Sequence, residues 1–161
     1  MQGLLTWLQG SPLGELMRSL GVWTYGVVNL VHILSVATLF GAVLMLDLRL
    51  LGAWRRVPIA ALERPAIMLA IVGFGSAVGS GLCLIVTNGA DYVGNPFLAI
   101  KFAALGLALL NAAIVVSLQA WRERSVEPLP AGHERTLRIG GGVSLACWLT
   151  TVAAGRMIGY W

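Results

Sequence analysis

Long apolar runs alternate with short polar segments along the chain, and four of the runs are long enough to cross a membrane. They lie at about residues 22–46, 66–86, 96–118 and 137–159. A transmembrane helix needs about 20 consecutive, mainly apolar residues. The pattern therefore predicts one all-α domain over residues 1–161. We expect an integral membrane four-helix bundle whose helices run up, down, up and down.

The first 21 residues differ from the four spans, because charged side chains interrupt their apolar positions. Gly10, Ser11 and Pro12 break this segment in the middle. Serine followed by proline is typical of a helix N-cap and first turn. Glu15 and Arg18 lie among the leucines of the second half. We therefore predict an amphipathic interfacial helix, or a pair of them, that lies in the membrane plane.

Arginines in the connecting segments predict the orientation of the bundle. The segment between the second and third spans holds no Lys or Arg, whereas the other two hold eight arginines. Cytoplasmic loops carry the excess of basic residues in membrane proteins. We expect a multi-pass protein of the bacterial inner membrane, with both termini on the periplasmic side. The eight arginines are Arg49, Arg55, Arg56, Arg64, Arg122, Arg124, Arg135 and Arg138.

The composition supports a membrane protein and argues against a nucleic-acid-binding one. Hydrophobic residues make up 58% of the chain and charged residues 11%, whereas soluble domains carry about 25% charged residues. The formal net charge is +4. Because the arginines fall between apolar runs, they indicate topology, and we expect lipid and other membrane proteins as partners but no nucleic acid.

Small residues predict where helices approach one another closely. The second span contains a stripe of small residues that includes a small-xxx-small pair, Gly75 and Gly79, and the fourth begins with the glycines at 140–142. The stripe consists of Gly73, Gly75, Ser76, Gly79, Ser80 and Gly81. Such residues let membrane helices pack without a hydrophobic driving force between them. The interpretations are helix packing or a groove for a flat ligand. Asn111 in the third span is a candidate for a hydrogen bond between helices.

His32 is the candidate metal ligand, because it lies near the middle of the first span. It follows the outer end by about ten residues, or about 15 Å. Three hypotheses are open: a hydrogen bond to another helix, ligation of a haem iron or other metal, and proton relay or quinone binding. Asn29, one turn earlier, is a candidate to orient the imidazole. His133, the second histidine, falls in an arginine-rich segment outside the spans.

Lys101 and Arg156 are the two cations inside the outer halves of the spans. Long basic side chains at such positions commonly reach back to the lipid headgroups. The alternative is that both point inward and bind an anion, such as a haem propionate, a lipid phosphate or a partner's carboxylate. With His32 and Asn29 they form the set of candidate cofactor-binding residues.

Several segments resemble a group of small uncharacterised bacterial integral membrane proteins. The matching parts are residues 32–34 (HIL), 41–42 (GA) and 46–52 (LDLRLLG), then Asn95, Pro96 and Lys101 at the entry to the third span. That group is loosely similar to copper-resistance membrane domains and cytochrome-b-like bundles, which implies a four-helix membrane fold and haem as a possible cofactor. Many of its members carry a histidine near the end of the third span. Residues 113–118 hold none, which weakens haem binding by paired histidines.

The residues predict no catalytic centre, since no nucleophile lies with a base and no carboxylates are paired. The first functional hypothesis is a non-catalytic subunit or accessory protein of a larger, redox membrane complex. It would pack through small-residue helix faces against other subunits or copies of itself. The alternatives are a membrane cytochrome with haem b on His32, used for electron transfer, and a small transporter.

Overall fold

The computed structural model describes residues 2–125 and 129–161, and all the regular secondary structure in these ranges is helical. Met1, the first residue of the predicted interfacial segment, lies outside them. Four helices are long and apolar enough to cross a membrane, which confirms the predicted all-α membrane bundle. The helices are α1 (Gln2–Gln9), α2 (Pro12–Ser19), α3 (Gly21–Leu51), α4 (Ile59–Asn88), α5 (Pro96–Ser117), α6 (Gln119–Arg122) and α7 (Ala131–Met157).

The four long helices form two pairs, which contact each other through α3 and α7. α3 packs against α4, α5 packs against α7, and α3 packs against α7, whereas α4 and α5 make at most a marginal contact with each other. Leu39, Ala108 and Trp148 form a buried cluster in the middle of the bundle. The arrangement therefore leaves an opening between α4 and α5, with α3 and α7 behind it.

The α3–α4 pair depends on Gly73, one of the small residues of the second span but not a member of the small-xxx-small pair. A Cβ on Gly73 would stand 2.7 Å from the backbone nitrogen of Leu39 and 2.9 Å from the carbonyl oxygen of Ser35. Gly75 and Gly79 have no such neighbour within 4 Å among the described residues. Two residues turn a helix by about 200°, so Gly75 lies on the side of α4 that faces away from α3.

The predicted glycine contacts of the fourth span are present in α7. A Cβ on Gly140 would stand 2.5 Å from Val115 of α5, and one on Gly141 would stand 3.2 Å from the Asp47 carbonyl oxygen of α3. Asn111 donates a hydrogen bond of 3.0 Å to the Gly140 carbonyl, which confirms it as a hydrogen bonder between helices. These contacts hold α7 between α3 and α5.

Two of the helix starts follow the sequence closely. The Ser11 hydroxyl accepts a hydrogen bond from the Gly14 amide in front of α2, and Pro12 occupies the first turn. Asn95 caps α5 by accepting from the Phe97 amide at 2.9 Å. Its amide nitrogen also donates to the Ile158 carbonyl at 3.2 Å, which ties the start of α5 to the end of α7.

The short helices α1 and α2 pack on the C-terminal end of α4, the end remote from the arginine-rich connecting segments. The Ala90 amide donates to the Gln9 side chain at 2.6 Å, and Arg18 donates to the Val86 carbonyl at 3.3 Å. Leu5 and Met17 are buried there, while other apolar residues of both helices are exposed. The N-terminal segment is therefore a helix pair, one of the two predicted forms.

The arginine-bearing segments meet at the opposite end of the bundle, here called the arginine end. The helices continue beyond the apolar runs at this end, so that α3 reaches Leu51, α4 starts at Ile59 and α7 starts at Ala131. A second buried cluster lies there, made of Leu50, Ile59, Val115, Ala120, Trp121 and Leu137. This cluster closes the bundle just inside the arginines.

Candidate functional site

His32 is held between α3 and α4 by a serine and a glycine. Its Nδ1 lies 3.1 Å from the Ser80 hydroxyl, which donates its own proton to the Ser76 carbonyl at 2.6 Å. His32 and Ser80 therefore form a hydrogen bond between α3 and α4 whose direction is set by the imidazole tautomer. The ring lies against Gly81, where a Cβ would stand 3.0 Å from Cε1. The expected hydrogen bond between helices is therefore present.

The proposed contact between Asn29 and His32 is not present. Asn29 lies on an exposed face of α3, and Ser80 of α4 orients the imidazole instead. Residues three apart are neighbours on a helix surface, but the side chain of Asn29 is exposed and the hydrogen bonds of the described residues include none between it and His32.

Lys101 and Arg156 lie in different environments and do not form one common anion site. Lys101 is half-buried against α7, with Nζ 3.7 Å from the position of a Cβ on Gly155. Arg156 is exposed and stacks on Tyr160, with 4.5 Å between the guanidinium carbon and the ring centroid. The outward position expected for such a cation is found for Arg156, whereas Lys101 points into the bundle.

The geometry around His32 does not favour a haem. The imidazole edge is occupied by Ser80 and Gly81, and His32 lines neither of the two cavities described below. His133 pairs with Glu123 at the arginine end, at 3.1 Å. The Nδ1 edge of the ring is therefore taken up by the α3–α4 contact, and haem binding stays a prediction.

The opening between α4 and α5 is a groove of about 460 Å³ in the half of the bundle nearer the arginine end. We call it the α4–α5 groove. All four long helices line it, mainly with aliphatic and aromatic side chains. Sites that take ligands or partners are typically apolar concavities with a few polar groups. The three polar side chains in its lining are Asp47, Asn111 and Ser144.

Asp47 is the chemically distinct residue of this groove. Its exposed fraction is 4%, and the Ser144 side chain of α7 interacts with its carboxyl group. One carboxyl oxygen, Oδ2, is buried and has no hydrogen-bond partner among the described residues. A buried acceptor with no donor costs about 1–3 kcal/mol. Asp47 therefore brings to the groove lining a carboxyl oxygen that no donor of the described residues satisfies.

Gly75 forms part of the groove's edge on α4. It lines the groove, and no other described residue lies within 4 Å of where its Cβ would stand. Gly79 lies one turn further along the same side and is equally open. The small-xxx-small pair is therefore left unused by the chain's own helices, next to an open groove.

No family model matches the sequence, and no significant similarity to a curated protein or to a solved structure was found. The resemblance to the small bacterial membrane proteins therefore stays a prediction. The chemistry of the site rests on its own residues.

The sequence analysis did not select Asp47 as a candidate site residue. An acidic side chain in an apolar run was the available indication, since a charged group at membrane depth needs an explanation. No feature of the sequence indicated the groove, because its presence depends on which pairs of helices pack closely together.

Proposed function

We propose that this chain is a non-catalytic membrane subunit that binds a transmembrane helix of a different protein in its α4–α5 groove. The buried, unpartnered Oδ2 of Asp47 in the groove lining is the observation that carries the proposal. A lipid chain has no hydrogen-bond donor to offer this oxygen, whereas a helix can supply one from a polar side chain.

The open edge of the groove supports a helix as the occupant. Membrane helices associate through small residues that let backbones come close. Gly75 offers such a surface, with no described neighbour within 4 Å of its Cβ position. Ile71 and Phe74, on the same side of α4, would pack against the incoming helix.

The same proposal includes the membrane and the orientation. We place the protein in a bacterial inner membrane with the arginine end in the cytoplasm, because basic residues accumulate on that side. The groove then opens in the cytoplasmic half of the bilayer. The partner helix would present its donor side chain at the depth of Asp47.

Enlarging Gly75 should block the partner without disturbing the fold. In Gly75→Leu the new side chain would project from the edge of the groove, where a partner helix is expected to lie. We expect at least a tenfold loss of the partner that copurifies from native membranes in mild detergent, measured by quantitative mass spectrometry, with unchanged thermal stability of the chain itself.

The matched control for this experiment is Gly41→Leu. Gly41 is also exposed and open, but it lies on the side of α3 away from the groove-lining residues Leu39, Ala42 and Val43. Its substitution adds the same apolar side chain to a membrane helix and should leave partner recovery unchanged. Equal recovery with Gly75→Leu and the unmodified chain would contradict the proposed docking surface.

A further inference from the structure

A tight turn at the end of α3 brings two guanidinium groups together. Gly52 adopts φ +110°, a left-handed conformation that glycine accepts without a Cβ clash. The Arg55 Nη2 and the Arg138 Nη2 lie 3.4 and 3.5 Å from the position of a Cβ on Gly52. Their Nη2 atoms are therefore within about 7 Å of each other, where two positive charges repel unless an anion is present.

The donors of this pair are only partly used by the protein. Arg138 donates from Nη2 to Glu134 at 2.8 Å, while its buried Nε has no hydrogen-bond partner among the described residues. The Arg55 guanidinium has no hydrogen bond or ion pair within the described ranges 2–125 and 129–161. Both side chains therefore keep N–H groups available for an acceptor.

Arg49 adds a third cation to the same end. Its guanidinium donates to the backbone carbonyls of Val57 at 2.5 Å and of Arg55 at 3.3 Å. These bonds position the guanidinium but leave its charge uncompensated. Arg124, by contrast, is paired with Glu63, and that hydrogen bond raises the pKa of Arg124.

A cavity of about 490 Å³ lies beside these groups at the arginine end. Arg49, Arg55 and Arg124 line it, and Arg138 lies next to it, beside Gly52. Two carboxylates offset part of this charge, since Glu63 pairs with Arg124 and Glu134 pairs with Arg138. The local charge is thus positive by two. The cavity also has an apolar wall, made of Leu50, Ile59, Leu129 and Leu137.

We infer that this cavity binds the phosphate group of an anionic lipid, with Arg55 and Arg138 as the principal ligands. Arginine recognises phosphate through paired N–H donors, and basic pockets at the ends of membrane helices bind anionic headgroups. The apolar wall next to the arginines suits the glycerol and first methylenes of a lipid. Free phosphate shares the anionic chemistry but would make no use of that wall.

The test measures lipid retention by native mass spectrometry of the purified chain in detergent. The probes are phosphatidylglycerol, phosphatidylcholine and inorganic phosphate. We expect phosphatidylglycerol to bind at least tenfold more tightly than phosphatidylcholine, and Arg55→Gln to weaken its binding about tenfold, the usual effect of losing a charge-assisted hydrogen bond. Arg55 is exposed, so the variant should fold normally.

Arg56→Gln is the matched control. Arg56 is the next residue in the chain and carries the same charge, but it neither lines the cavity nor is among the atoms nearest the Cβ position of Gly52, as those of Arg55 and Arg138 are. Equal weakening by Arg56→Gln would overturn the site in favour of diffuse attraction. Inorganic phosphate that displaces phosphatidylglycerol at equimolar concentration would overturn the lipid as ligand. Tight binding with Arg56→Gln together with weak binding with Arg55→Gln and with Arg138→Gln would support the proposal.

Discussion

Gly73→Ala should destabilise the bundle by about 2 kcal/mol, the typical cost of overpacking a helix contact. The added Cβ would stand 2.7 and 2.9 Å from backbone atoms of Leu39 and Ser35. Backbone atoms cannot rotate away as a side chain can, so α3 and α4 would have to separate. The measurement is the free energy of unfolding of the purified protein in mixed detergent micelles.

Gly75→Ala provides the comparison within the same helix. The site of its new Cβ has no described neighbour within 4 Å, and alanine is favoured over glycine in a helix by about 0.5–1 kcal/mol. We expect this variant to be as stable as the unmodified chain or slightly more stable. Similar losses for both variants would show that the α3–α4 contact is not where the structure places it.

Asp47→Leu should have opposite effects on the isolated chain and on its complex. Leucine removes a buried acceptor that lacks a donor, and such a group costs about 1–3 kcal/mol. The isolated chain should therefore unfold at a higher detergent or temperature midpoint. Partner recovery from native membranes should fall at least tenfold, since the donor on the partner helix would lose its acceptor.

Asp47→Asn serves as the conservative variant for this prediction. It keeps the shape and one carbonyl oxygen but loses the carboxylate, so partner recovery should lie between that of the unmodified chain and that of Asp47→Leu. A loss of stability in Asp47→Leu with no change in partner recovery would mean that Asp47 serves the fold alone, through Ser144.

The sequence was sufficient for the spans, the caps and the end at which the arginines gather. These features depend on local patterns: the length of apolar runs, Ser11 before Pro12, and Asn95 before Pro96. Membrane-scale hydropathy and capping chemistry act over a few residues. They could therefore be predicted without knowing which helices touch.

The use of each glycine depends on helix rotation and could not be predicted. The pattern indicated a stripe of small residues on the second span and, within it, the pair Gly75 and Gly79, yet within this stripe Gly73 rather than that pair makes the close backbone contact with α3. Similarly, Asn29 was expected near His32, but Ser80 from another helix holds the ring. A spacing of four residues identifies one side of a helix but does not say which neighbour that side faces.

The groove is the feature that the sequence predicts least, because it results from the lack of close packing between α4 and α5. The polar residues inside it were visible in the sequence, and the hydrogen bond of Asn111 was expected. The unpartnered oxygen of Asp47 becomes apparent only when the positions of all four helices are known.

Photocrosslinking in native membranes tests most directly whether a helix of another protein occupies the α4–α5 groove. A photoreactive amino acid at Ile71, which lines the groove, should give one discrete adduct with a different membrane protein. Asp47→Leu should abolish this adduct, and the same probe at Val27 on an exposed side of α3 should not form it. Adducts with lipid alone, or with a second copy of the chain, would contradict the account.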